Sequence, residues 1–140
     1  MLKTAQAFMK ACEAKGWHYK DARDLENGKS VVVCGISGQD TRYDIRFFFD
    51  QDETSVAVRV FGLTRVQKDA YARVLLCANS LNLKFRWIKF CIDKDDDLNL
   101  EHDAVVNTDN AGEVCVEILG RFMGIVDKAY PVIMKAQYGE

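Results

Sequence analysis

A chain of 140 residues with 49% hydrophobic and 11% aromatic side chains is too apolar to remain disordered, and its length suits one domain spanning residues 1–140. A net charge of −2, with Lys and Arg scattered along the chain, excludes the basic stripe of a nucleic-acid binder. Its apolar runs fall far short of the ~20 residues of a membrane span, so a soluble, cytoplasmic protein is expected, with neither nucleic acid nor membrane among its partners.

The segment "MLKTAQAFMKACEAKG" reads as an amphipathic helix over Leu2–Lys15, with Leu2, Ala5, Met9 and Cys12 at three- and four-residue spacing and Gly16 as its stop. Gln6, Lys10 and Glu13 interrupt the apolar core that a signal peptide would need. From Trp17 the period changes to two, with Trp17 and Tyr19 alternating with His18 and Lys20. Asn27-Gly28 is the dipeptide of a hairpin turn, and Val31, Val33 and Ile36 carry a second strand.

A third strand, "RYDIRFFFD", sets Tyr43, Ile45, Phe47 and Phe49 against Arg42, Asp44, Arg46 and Asp50, with Phe48 on the polar side. After the turn "QDET", Val56, Val58 and Val60 alternate in a fourth strand. Short polar turns between consecutive strands make an antiparallel meander. The second helix is predicted over Val66–Leu81, capped by Thr64, with Tyr71, Val74, Leu75, Ala78 and Leu81 buried and Asn82 ending it.

"LKFRWIKFCID" returns to strand period, placing Ile88, Phe90 and Ile92 on one face and Phe85, Trp87 and Cys91 on the other. Leu98, Leu100 and Val105 continue a further strand. The last helix begins near Ala111, with Val114, Ile118, Phe122, Ile125, Val126 and Ala129 at helical spacing and Pro131 kinking it or opening a fresh turn. The order α-β-β-β-(β)-α-β-β-α describes an α+β domain, an antiparallel sheet with helices packed on one face.

Three strings in this order, "IRFFFDQDETSVAVRV", "LLCANSLNLKFRWIKFCID" and "YPVIMKAQYGE", resemble the YbjN family of bacterial sensory transduction regulators, whose fold looks like that of type III secretion chaperones. The resemblance runs over nearly the whole chain. It implies a cytoplasmic, non-enzymatic protein, a homodimer, with a regulatory or chaperone-like role. It transfers no functional residue, because the matching positions shape the fold.

The residues themselves offer little reactive chemistry. "DKDDDLNLEHD" concentrates acid in a short stretch, but an EF-hand loop starting at Asp93 needs Gly at its sixth position and Glu at its twelfth, where this chain has Leu98 and Ala104. A hairpin turn whose Asp side chains cap backbone donors explains the stretch better. Only weak, adventitious cation binding is left for Asp93–Asp97. Cys12, Cys34, Cys77, Cys91 and Cys115 are odd in number and lack any C-x-x-C pair, which suits reduced, buried thiols better than disulfides, zinc or dithiol chemistry. His18 and His102 are the available bases, and neither sits in a nucleophile motif. "GISGQD" is too sparse for a phosphate loop. No catalytic, metal or cofactor residue is expected.

Phe48, Phe61, Phe85 and Trp87 fall opposite the core positions of their strands, where a solvated face should be polar. With Arg46, Arg59 and Arg86 at the rim, they are expected to form a surface for a protein partner or a second copy. The rival expectation is a small-molecule sensor or small enzyme using a pocket between the sheet and the last helix.

Overall fold

The computed structural model, described for residues 1–139, has helix α1 (Lys3–Ala14), strands β1 (Asp21–Asp24), β2 (Ser30–Ser37), β3 (Arg42–Phe49) and β4 (Ser55–Arg65), and a 3-10 turn at Lys68–Ala70. Helix α2 (Tyr71–Lys84), strands β5 (Lys89–Ile92) and β6 (Asp97–Val105), and helix α3 (Ala111–Tyr138) follow. The strands form one sheet in the order β1-β2-β3-β4-β6-β5, and every neighbouring pair is antiparallel. This is the expected α+β class.

β3 shows why the sequence folds this way. Tyr43, Ile45, Phe47 and Phe49 are all buried, and register sets Val58 opposite Phe47 and Val56 opposite Phe49 on the same face. Leu98 and Leu100 extend that face across β6. Phe8 of α1 drops onto it, its ring 4.3 Å from Phe47 and 6.1 Å from Phe49. Burying each of these rings is worth roughly 1.5–3 kcal/mol. α2 contributes Val74, Ala78 and Leu81 and α3 contributes Leu119, Phe122, Val126 and Ile133 to the same core.

Two glycines allow sharp features that position the rest. Gly28, at φ 86°, closes the β1–β2 turn, and a side chain there would meet Gln51 at 2.7 Å. Gly62, at φ 61°, sits in the irregularity between Val60 and Thr64 where β4 slips register against β6, and its N–H is held by Asn99 Oδ1 at 2.8 Å.

Several expectations need correction. β1 begins at Asp21, not Trp17, because the Trp17 N–H turns back to the Cys12 carbonyl and closes the end of α1. In β2 it is Val32 and Cys34 that share the helix-covered face with Ile45 and Phe47, while Val31 and Val33 are buried on the opposite face. An all-apolar strand has no alternation to mark its faces. β4 runs on through Thr64, which pairs with Leu98 and so does not cap α2. α2 therefore starts at Tyr71, and both Tyr71 and Leu75 are exposed. α3 continues through Pro131 without opening a new turn.

Candidate functional site

The structure divides the expected aromatic surface in two. Phe48 and Phe61 do share the uncovered face of the sheet, their rings 6.3 Å apart, with Phe61 53% exposed. Their arginine neighbours are already engaged. Arg59 reaches the Val58 and His102 carbonyls and pairs with Asp103 at 2.8 Å. Arg46 lies 3.8 Å from Asp44, which also holds Lys20 at 2.9 Å. The uncovered face is thus largely a ladder of crossed charges around one aromatic pair.

Phe85, Arg86 and Trp87 lie elsewhere, in the link between α2 and β5. Their strand-like alternation misleads because the backbone turns left-handed at Trp87, φ 77°. Phe85 packs against the core beneath Lys84, and Arg86 is exposed. Asn82 then pins the start of β5: its Oδ1 accepts from the Phe90 N–H at 2.6 Å and its Nδ2 donates to the Phe90 carbonyl at 2.9 Å. This amide occupies the edge of β5 as a neighbouring strand would.

Trp87 swings to the helix-covered side of the sheet. It meets His102 edge-on at 6.2 Å, and the Arg121 guanidinium lies 4.7 Å over its ring. Arg121 is in turn paired with Glu117 at 2.8 Å, one helical turn earlier on α3. Burial holds the His102 imidazole below its ordinary range, with Asp103 pulling the other way. A hollow of about 540 Å³ opens here between the sheet and α3, with Ala104, Val114 and Ile118 as its apolar floor and Trp87, His102 and Arg121 as walls. A pocket between the sheet and the last helix is therefore present. Its lining residues carry no hydroxyl or thiol to serve as a nucleophile beside His102.

Two features escape the sequence reading. On α2, Leu75, Leu76 and Leu83 are 49, 70 and 82% exposed. The string "VLLCANSLNL" holds more aliphatic residues than one buried helix stripe can use, which is a legible signal. Val105, expected to continue a strand, is 87% exposed at the end of β6.

In the acidic turn, the Asp93 carboxylate accepts from the N–H groups of Asp95 and Asp97 and from Asn99 Nδ2 at 2.8–3.1 Å. Those bonds hold its pKa below the usual carboxylate range, Asn99 contributing most. Among the described residues no three His, Cys, Asp or Glu side chains are grouped to hold a metal ion. His18 is exposed at the mouth of a smaller hollow that Cys12 and Cys34 also line.

The model of the YbjN family, "Putative bacterial sensory transduction regulator", matches residues 5–134. The chain belongs to the YbjN family. Among solved structures, the crystal structure of YbjN from E. coli, "a putative transcription regulator", superposes with a TM-score of 0.58 at 10% sequence identity, covering 90% of each chain. At that identity the likeness concerns the fold. No curated protein matches the chain. Among the described residues of this YbjN domain, no helix is long and apolar enough to cross a membrane.

Proposed function

We propose that this YbjN-family chain is a non-catalytic regulatory protein that works by binding another polypeptide, and that two copies associate through the outer face of α2. The observation that carries the self-association is the leucine stripe. Leu75, Leu76 and Leu83 together expose about two whole leucine side chains per copy, an apolar patch of the kind that often serves as a contact surface.

The stripe is self-complementary. Leu76 and Leu83 flank the Asn79–Ser80 midpoint symmetrically, so antiparallel pairing of two α2 helices about a two-fold axis sets each Leu76 against Leu83 of the other copy. Charge favours the same arrangement. Asp96 is tied by its carbonyl to Val66, before the start of α2, and Lys84 and Arg86 lie at its end, so Asp95–Asp97 of each copy come toward the other copy's Lys84 and Arg86, although Lys68, Arg73 and Lys94 stand beside the same turn. Burying two leucine equivalents per copy returns roughly 6–12 kcal/mol, against an association cost of about 4–15 kcal/mol. The gain exceeds the cost only toward the favourable end of both ranges, so a dimer weaker than roughly micromolar is the expected balance. Five free thiols suit a reducing cytoplasm.

Sedimentation velocity across a concentration series tests this. The wild type should pass from monomer to dimer, and Leu76→Glu/Leu83→Glu should stay monomeric with an unchanged circular dichroism spectrum. A wild type that is monomeric throughout, or a double variant that still dimerises, refutes the α2 assignment.

A further inference from the structure

β6 spans Asp97–Val105, but β5 spans only Lys89–Ile92 and covers β6 from Leu98 to Glu101. Beyond Glu101, β6 is partnered on the β4 side alone. The Val106 N–H donates to the Thr54 carbonyl on that side. By the alternation of an antiparallel ladder, the N–H and C=O groups of Asp103 and Val105 therefore face away from β4, into the space that β5 leaves. Among the described residues they have no hydrogen-bond partner there.

The two terminal strands of the sheet carry guards. Asn82 occupies the outward groups of Phe90 on β5, and β1 presents Asp21, Arg23 and Asp24. The open stretch of β6 is different: Val105 is an 87% exposed valine, and Ala104 beside it faces the hollow floored by Val114 and Ile118. Trp87, stacked on Arg121, walls the hollow. The charges at the mouth are unbalanced. Of the acidic side chains that line the hollow, Glu117 is paired with Arg121, whereas Glu113 has no ion-pair partner among the described residues.

We propose that the free edge at Asp103–Val105 takes up an extended polypeptide segment as an added strand, with an aliphatic side chain seated on Ala104, Val114 and Ile118 and a basic side chain toward Glu113. Main-chain pairing supplies the general hold, and the hollow and Glu113 supply selectivity. The inference rests on the polypeptide-binding reading above and gives that reading a location.

The test is a selection of random twelve-residue displayed peptides on wild type and on Val105→Pro in parallel. Proline at Val105 deletes an outward N–H while sparing every bond to β4. Wild type should enrich peptides with aliphatic and basic residues, recovery on Val105→Pro should fall at least tenfold, and the bound peptide should slow amide exchange at Asp103 and Val105. Equal recovery on both proteins, or protection elsewhere on the chain, overturns the edge site while leaving polypeptide binding standing. No enrichment on wild type overturns both. Should Val105→Pro fail to fold, the best peptide N-methylated at alternate amides decides instead: a tenfold loss is expected, and unchanged binding sinks the strand-addition geometry. Repeating the titration on Leu76→Glu/Leu83→Glu separates this site from the α2 contact, since binding should be unaffected there.

Discussion

Replacing Asn82 by Ala removes both hydrogen bonds to the main chain of Phe90, at 2.6 and 2.9 Å. A net hydrogen bond contributes about 0.5–1.5 kcal/mol, so the pair is worth about 1–3 kcal/mol. Asn82 itself is exposed, and water can enter the vacated site, which favours the lower half of that range. Alanine also gains about 0.5 kcal/mol of helix propensity. Asn79→Ala carries the same gain one turn earlier, at an exposed asparagine that lacks the side-chain bonds to β5 that Asn82 makes. The difference between the two variants therefore isolates the clamp. In urea unfolding of dilute protein, Asn82→Ala should have a midpoint about 0.5–1 M below that of Asn79→Ala with the same slope. Equal midpoints would mean that water replaces the amide without loss, and the guarded edge of β5 would lose its energetic basis.

Two further outcomes follow from packing and charge. Gly112→Ala places a methyl 2.8 Å from the Ala7 carbonyl oxygen and 3.2 Å from Ala11 Cβ, so α1 and α3 must separate, at about 1–3 kcal/mol; Gly124→Ala, with nothing within 4 Å, should instead stabilise the helix by about 0.5–1 kcal/mol, and thermal melts that ranked the two the other way would refute this helix contact. On the acid side, Asp24, Asp50 and Asp93 are all held below their ordinary range, chiefly by hydrogen bonds from the N-terminal ammonium, Ser55 and Asn99 respectively. A depressed folded-state carboxyl contributes stability above its unfolded value of about 3.9 and loses it as pH falls through the folded value, so the urea midpoint should drop below about pH 4; a midpoint flat from pH 5 to 3 would show these bonds to be absent in solution.

How far the sequence could be read varies from strand to strand. β3 was legible because its inward residues Tyr43, Ile45, Phe47 and Phe49 alternate with charge, and only one face of it is packed by helices. β2 was not, because Val31 and Val33 are buried on the uncovered face as fully as Val32 and Cys34 are on the other. Phe85 and Trp87 alternate like a strand, yet the left-handed Trp87 carries the chain away from the sheet plane. Of the expected interface residues, only Phe48, Phe61, Arg46 and Arg59 share the uncovered face, and both arginines are ion-paired there.

Composition and period alone determined the α+β class, the antiparallel strands and the amphipathic helices, since these follow from local patterns of apolar and polar side chains. Only the tertiary structure decided which aliphatic side of α2 is covered, because that depends on where α3 and β5 lie. The same holds for the free edge of β6, which exists because β5 begins only at Lys89, after the left-handed turn at Trp87.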